Sequence, residues 1–409
     1  MATQFVTDFS HAAQAGRFTH EVVAVDSIDG LGALRGVWNT LASQAENPSL
    51  CEGYQYCELA ASMAFEQRLP VRVLLIREGR ELVALWPFVI ERRALLRVAR
   101  RLTCGAREEY GQPLVKQGVG DDIWPAIMTA LKRLDADLVE VSRVANGTRL
   151  QAALDTAPQS RAHRLLPSSK RGHPGYAIGL RGFASFVEFE NESLSSRFRQ
   201  VLRKCRRRLE QLGRVESGWC DTPEETRRMI SWIIEQKRAW AAARSIENEY
   251  LEDDRIVAFF SGLAQRLDLS KTPLVAFLTV DGVPVAASLN MVGGQTLEGC
   301  VTTYDPAFGE YSVGSLHLYE LLKWAHARGL DFDFRPVHVD YKERWATHRT
   351  WHETRELVVT ARGRLVDVAH LHSYAQRGAR KLLRETVRRI RPAAKAANAA
   401  NAAKVAQPG

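Results

Sequence analysis

The chain has no apolar run of the roughly 18 or more residues that a membrane crossing takes. It opens on Met1-Ala2-Thr3-Gln4-Phe5-Val6-Thr7-Asp8, which offers neither the basic stretch nor the apolar core of a secretory signal. A cytoplasmic location is the expectation. Cysteine is sparse: Cys51, Cys57, Cys104, Cys205, Cys220 and Cys300 form no Cys-x-x-Cys pair and stand in no zinc-like spacing with histidine. Buried free thiols are expected, not a disulfide framework or a structural zinc. A Gly-x-Ser-x-Gly elbow is also missing, which argues against Ser-His-Asp hydrolysis. His338, His348 and His352 lie close together but fit no metal spacing, so they read as ordinary polar residues and no metal is expected.

What is present is ordinary globular sequence. Of 409 residues, 45% are hydrophobic and 25% charged, enough to bury a core and too long a chain for one. Two domains are expected. Lys and Arg number 56 against 47 acidic residues, net +9. That surplus suits an anionic partner such as coenzyme phosphates, a nucleotide-sugar, RNA or a membrane surface, and does not choose among them.

Residues 1–20 are polar and unpatterned and predict a flexible end. A first unit, 21–155, follows. It contains a helix over Ala33–Ala45, a hairpin of Val71–Arg77 and Glu81–Phe88 around Glu78-Gly79-Arg80, a strand near Arg101–Cys104, a helix over Asp121–Leu134 and a strand over Asp137–Ser142. Residues 156–180 are rich in Ser, Pro, Gly, Arg and His and predict a linker. The second unit, 181–391, opens on an amphipathic helix over 197–213. Helices over Glu224–Arg244 and Asp253–Leu267 follow, then an Asp281-Gly282 hairpin, a strand Thr296–Tyr304, a helix Val313–Arg328 and a strand Asp331–Phe334. The tail 392–409, mainly Ala, Asn and Lys, predicts disorder. The fold class is thus α/β with mixed sheets. The two units echo each other in element order without any residue-level repeat.

The run Asp281-Gly282-Val283-Pro284-Val285-Ala286-Ala287 is followed by Thr303-Tyr304-Asp305-Pro306, Tyr311-Ser312-Val313-Gly314-Ser315, Phe332-Asp333-Phe334 and Tyr341-Lys342-Glu343-Arg344-Trp345. From about Ser195 to Trp345 this resembles the CelD-like (BcsL) acetyltransferases, with their BioF2-like acetyltransferase domain. These belong to the GNAT superfamily and are related to the FemABX aminoacyl transferases. A thinner likeness rests on Leu82-Val83-Ala84-Leu85-Trp86-Pro87 and Tyr110-Gly111-Gln112-Pro113-Leu114-Val115. The resemblance implies two tandem GNAT-like domains and acyl transfer to an amine or hydroxyl, often in polysaccharide or cell-envelope synthesis. It implies acyl-CoA, acetyl-CoA first, as co-substrate. Two positions depart from the family: Val313 stands where Pro is common, and Arg335-Pro336-Val337-His338-Val339-Asp340 replaces a Gly-containing turn, which touches acceptor specificity.

Acyl transfer from a thioester needs an anchor for an anionic donor, a polarised carbonyl and proton traffic. Tyr311, Ser312, Gly314 and Ser315 open a helix, where free N–H groups and the dipole favour a pyrophosphate. The GNAT signature Gln/Arg-x-x-Gly-x-Gly/Ala is absent there, and a plain Ser N-cap competes with the cradle. By the two-residue period Glu298, Thr302 and Tyr304 share a strand face, with Glu298 a candidate base and Tyr304 a candidate acid; an exposed face with a salt bridge is the alternative. Lys342 is a candidate oxyanion or phosphate contact whose loss is expected to lower turnover far more than stability, or else a solvated surface residue. Tyr341 and Trp345 are candidates to shape the acceptor pocket, Trp345 alternatively a core anchor. Arg335 shares a face with Asp333, so substrate contact and an internal ion pair both stand.

The basic face of the 197–213 helix carries Arg199, Arg203, Lys204, Arg206, Arg207 and Arg208 without interleaved aromatics. A solvated face, an RNA site and capture of an anionic substrate or membrane headgroups all remain open. Three functions follow: an acyl-CoA-dependent acyltransferase, an aminoacyl-tRNA-dependent transferase, and a non-catalytic scaffold in polysaccharide synthesis.

Overall fold

A computed structural model describes residues 13–104, 109–167, 171–244, 251, 253–337, 339–372 and 374. The expectations for residues 1–12, for His338 and for the tail 392–409 lie outside these described residues.

The strands of the first half are β1 (Ala13–Ala15), β2 (Phe18–Val25), β3 (Val71–Glu78), β4 (Glu81–Arg93), β5 (Leu96–Arg101), β6 (Leu114–Val115), β7 (Leu138–Ala145) and β8 (Gly172–Ile178). Those of the second are β9 (Val215–Trp219), β10 (Val275–Val280), β11 (Val283–Val292), β12 (Thr296–Tyr304), β13 (Asp331–Asp333) and β14 (His348–Val358). The helices that position the site are α1 (Arg35–Gln44), α2 (Tyr54–Glu66), α3 (Ile123–Leu131), α4 (Ser196–Glu210), α5 (Pro223–Ala242), α6 (Arg255–Ala264), α7 (Val313–Ala327) and α8 (Asp340–Trp345). The two hairpins turn where their residues allow it: Gly79 has φ 59°, and Asp281 and Gly282 have φ 49° and 77°. Consecutive positive φ is what a tight two-residue turn between twisted strands requires.

Both halves follow one plan. Four strands pair antiparallel in sequence, β2-β3-β4-β5 in the first half and β9-β10-β11-β12 in the second. One helix, α3 or α7, then leads to a fifth strand that lies parallel to the fourth, β7 beside β5 and β13 beside β12. The sixth strands are exchanged. β8 leaves the first half to pair antiparallel with β13, and β14 leaves the second half to pair antiparallel with β7. β8 and β14 also pair with each other, so the order runs β1-β2-β3-β4-β5-β7-β14-β8-β13-β12-β11-β10-β9 in one sheet, with β6 on β4. The fold is mixed α/β with two tandem domains of the same design.

Residues on opposite faces of the strands feed different cores. Val71, Val73 and Leu75 of β3 join Trp38, Tyr54 and Tyr56 of the first half and Phe259, Phe260, Leu289 and Val301 of the second in one shared core. Tyr56 meets Phe259 edge-on at 4.8 Å. Leu74 and Ile76, pointing the other way, pack beneath α3, while α7 covers a separate core in the second half. Trp38 is fully buried and donates its indole N–H to the Glu52 carbonyl at 2.8 Å. Its truncation to Ala would cost ~3–5 kcal/mol.

Two sequence expectations fail here. Residues 156–180 are not a linker: they contain a short helix, Arg161–Arg164, and β8, a central strand between β13 and β14. The glycines that suggested a loop instead permit close strand approach, since a Cβ on Gly175 would lie 2.5 Å from His352 Nε2 and one on Gly179 would lie 2.8 Å from His348 Cε1. Residues 13–20 are not a frayed end either. β2 pairs with β3 along its whole length and buries Phe18 and His20. The strand expected at Arg101–Cys104 is β5, ending where that expectation began.

Candidate active site

β12 and β13 pair only at Thr296–Asp331, Leu297–Phe332 and Glu298–Asp333. β12 runs on to Tyr304, held by β11 on its other side, while β13 stops at Asp333. The pairing of the two strands therefore ends at Glu298, and Arg335 of the following turn reaches back to Cys300 Sγ at 3.4 Å. The chain leaving β13 turns sharply, with Arg335 at φ 59° and Val337 at φ 122°. A β-branched residue at such an angle is strained by ~1–3 kcal/mol and persists only where its surroundings hold it.

Glu298, Thr302 and Tyr304 do not share a face. The β11–β12 register shifts between Leu289 and Asn290, so Val301 opposes Leu289 but Gly299 opposes Asn290, which leaves Cys300 as the extra residue. Such a bulge inverts the alternation beyond it. Glu298 consequently points to the shared core, where the Ser49 hydroxyl donates to its Oε1. Tyr304 points to the α7 side, where a Cβ on Gly314 would lie 3.3 Å from its Cδ1. Tyr304 is 45% exposed.

Glu298 is the centre of a buried polar cluster drawn from both halves. Its Oε2 has no hydrogen-bond partner, and Arg335 Nε stands 3.5 Å away. Arg335 donates to Glu109 Oε2 at 2.6 Å and lies over the Tyr110 ring at 5.3 Å. Tyr110 donates its hydroxyl to Asp333 Oδ2 at 2.6 Å, and Asp333 Oδ1 accepts the Arg335 backbone N–H at 2.7 Å. Beneath them Arg101 donates to the Tyr110 carbonyl at 2.6 Å and the Cys51 carbonyl at 2.7 Å. Burial pushes the Glu298 carboxyl up to about 7, against the pull of Arg335, with Asp333 adding to the rise. Burial likewise pushes the thiol of Cys51 up to about 12. A carboxyl titrating near neutrality serves as a proton acceptor; these thiols stay protonated.

Arg335 therefore meets carboxylates of the interior, in an ion pair with Glu109 and not one with Asp333. Lys342 is not a solvated surface residue. It is buried and donates to the carbonyl oxygens of Phe334 at 2.8 Å and Arg335 at 3.0 Å. Trp345 is a core anchor, 1% exposed and edge-on to Phe198 at 5.1 Å, so it does not line an acceptor pocket. Tyr341, one turn earlier on α8, is 39% exposed and lies 6.0 Å from the Phe334 ring.

On the α7 side, Ser312 adopts φ 51° and ψ 37°, and its side chain makes no cap hydrogen bond. A plain N-cap is thus not what the serine provides. Its carbonyl accepts the Ser315 and Leu316 N–H groups, leaving those of Val313 and Gly314 without a backbone acceptor among the described residues. No acid lies in the first turn of α7. Tyr311 packs under Arg208, whose guanidinium is 4.9 Å from the ring centroid and 2.6 Å from Glu310. The corresponding helix of the first half differs. α3 starts after Asp121 and Asp122, which pair with Arg149 at 3.2 Å and Arg17 at 3.3 Å. On α4, Arg206 is tied to Glu210 and Glu320, while Arg203, Lys204 and Arg207 remain exposed.

Ser49, Arg101 and Glu109 escaped sequence reasoning. Ser49 carries no local signal. Tyr110-Gly111-Gln112 had one: a Cβ on Gly111 would lie 2.7 Å from the Ser142 backbone, the mark of a close approach.

Residues 196–343 match the family model for an acetyltransferase (GNAT) domain. No relative is found among curated protein sequences. Among solved structures the chain resembles FemX, at 10% identity and a TM-score of 0.56 over 83% of this chain and 97% of that one. It also matches a tandem GNAT protein from the clavulanic acid biosynthesis pathway, at 13% identity and a TM-score of 0.42 over 83% and 99% of the chains. A third is the C-terminal domain of a putative lysylphosphatidylglycerol synthetase from Agrobacterium fabrum, at 11% identity and 0.43 over 84% and 96%. The FemX likeness supports the fold; the two lower scores are too weak to argue from.

Proposed function

We propose, from a chain whose residues 196–343 match a GNAT acetyltransferase domain, that it moves an acyl group from acyl-CoA, acetyl-CoA in the first instance, to an amine or hydroxyl acceptor. Polysaccharide or cell-envelope synthesis is the setting the CelD-like motifs suggest. The observation that carries the reading is Glu298: a buried carboxyl pushed up to about 7, with one oxygen lacking a hydrogen-bond partner, where the parallel strands β12 and β13 part.

The residues fit an anionic thioester. The Val313 and Gly314 N–H groups and the α7 dipole suit a pyrophosphate, and the absence of a Cβ at Gly314 leaves room beside Tyr304. Tyr311, Ser312 and Ser315 frame that position. Glu298 faces the shared core where β12 and β13 part, and Tyr304 ends β12 on the α7 side beside Gly314. Glu298 takes the proton from the acceptor as its nitrogen or oxygen bonds to the acyl carbon. The carbon–sulfur bond breaks, and the departing thiolate takes its proton from solvent, since Tyr304 ends β12 on the other face, about 20 Å along the strand from Glu298. Lys342 holds the Arg335 turn in place through backbone carbonyls, and Tyr341 lies where an acceptor enters.

Isothermal titration with CoA and acetyl-CoA tests this. Saturable binding that weakens in a Gly314→Val variant is expected; no binding of either ligand would sink the reading. A second donor, aminoacyl-tRNA, is favoured by the exposed cations of α4 next to the cradle, and salt-sensitive tRNA binding without CoA binding would select it. Binding of neither would leave the scaffold role.

A further inference from the structure

The segment Asn47-Pro48-Ser49 belongs to the first half, yet it is stapled to the β11–β12 turn of the second. Asn47 Nδ2 donates to Thr296 Oγ1 at 3.0 Å, and its Oδ1 accepts the Gln295 N–H at 2.7 Å. The Gly294 N–H donates to the Pro48 carbonyl at 2.8 Å. The approach is so close that a Cβ on Gly293 would lie 2.7 Å from Pro48 O and one on Gly294 2.7 Å from Pro48 Cδ. Asn47 itself takes φ 48° to deliver these contacts. Ser49 is fixed further: its N–H donates to Glu52 Oε2 at 3.1 Å, and Glu52 is held by Gln112 at 2.9 Å. The one hydroxyl at the end of this staple donates to Glu298 Oε1.

We propose that Ser49 is a positioning residue for Glu298, so that the first half completes the proton-accepting group of the second. The inference rests on the acyltransferase reading given above. With Oε1 committed to Ser49, the carboxylate plane is set and Oε2 becomes the oxygen that receives a proton. Arg335 stands on the Oε2 side and is anchored by Glu109, also of the first half. Both neighbours that fix the carboxylate thus depend on the first half. A division of labour follows: the second half binds the thioester, and the first half orients the base.

A hydrogen bond donated to the ionised form favours that form, so removing it raises the midpoint of the titration. The test is an infrared titration of the full chain, following the protonated carboxyl band that disappears in Glu298→Gln. In Ser49→Ala the midpoint should move up by on the order of one pH unit. Ser49→Thr, which restores a hydroxyl, should return it to the wild-type value. An unmoved midpoint in Ser49→Ala, or a wild-type spectrum with no such band, overturns the proposal. Acetyl-CoA titrations of the same variants separate the two ideas. Failure of the wild type to bind CoA removes the acyltransferase reading, whereas CoA binding with an unmoved midpoint removes only the role of Ser49.

Discussion

The Lys342 ammonium donates to the carbonyl oxygen of Arg335 at 3.0 Å, across a turn in which Arg335 itself holds φ 59°. A cation in that place is a backbone clamp. It also donates to Phe334 O at 2.8 Å, and both acceptors lie where β13 has ended and no neighbouring strand satisfies them. Lys342→Ala is therefore expected to lower stability as well as turnover. Two charge-assisted bonds are lost and strained backbone is released, which should cost ~2–4 kcal/mol. Urea unfolding at pH 7 measures it, and a loss under about 0.5 kcal/mol, the usual range for a surface change, would contradict the clamp.

Glu298→Gln should stabilise the protein at alkaline pH. The folded pKa of about 7 lies above the ordinary 4.5, so the unfolded chain gives up its proton first as pH rises. Stability is then fully present below pH 4.5, declines through the window up to 7 and stays low above it. Glutamine keeps the shape without the charge and escapes that decline. The gain at pH 8 should be up to about 3 kcal/mol, with little change at pH 4. Denaturant midpoints at the two pH values check it; an equal effect at both would show that burial of charge is not the cause.

Much of the fold was legible because its signals are local. The Asp281-Gly282 turn, the strand Thr296–Tyr304 and the helix starting at Val313 all follow from residue spacing, and each lies where expected. What escaped depends on contacts between distant segments. Nothing in the Gly and Pro of β8 announces a partner 171 to 181 residues later in β14, and one bulged residue, Cys300, moved Glu298 to the face opposite Tyr304. The helix start behind the proposed cradle at Ser312 to Ser315 was legible from its spacing. The Ser49 and Glu109 contribution was not, since each meets its partner only through tertiary folding.

Gly314→Ala separates the cradle from the helix. In a helix interior Ala is worth ~0.5–1 kcal/mol over Gly, so stability should hold or rise slightly. The added Cβ lies 3.3 Å from the Tyr304 ring, which must shift into the space beside the helix start. CoA affinity should fall by about tenfold, equivalent to ~1.4 kcal/mol. Calorimetric titration alongside thermal unfolding distinguishes this from general damage, which would lower both.

His317 should set much of the acid sensitivity. It lies on the buried face of α7 with Nε2 2.8 Å from Ser288 Oγ, and burial lowers its pKa to about 3. The unfolded chain therefore takes up a proton that the folded one refuses. Stability present above pH 6.5 is lost as pH falls toward 3, by up to about 5 kcal/mol. His317→Gln keeps a polar partner for Ser288 and should flatten that slope, even if it is less stable at pH 7. A slope unchanged by the substitution would assign the acid sensitivity to other groups.

The strand exchange makes the two halves mutually dependent. Divided after residue 167, the first fragment keeps β7 with one edge bare, because its neighbour β14 lies in the second fragment. That edge is apolar: Leu138, Val139, Val141 and Val144 are buried in the intact chain. A bare central strand of this kind templates aggregation. Expressed alone, 1–167 should be insoluble or oligomeric. Co-expressed with 168–409 it should form a one-to-one complex, since β7–β14 pairing and the shared core of Tyr56 and Phe259 both reform. Size-exclusion chromatography with light scattering reads the outcome. A soluble, monomeric 1–167 that ignores its partner would show that each half closes its own sheet, and the exchanged order of β8 and β14 would have to be abandoned.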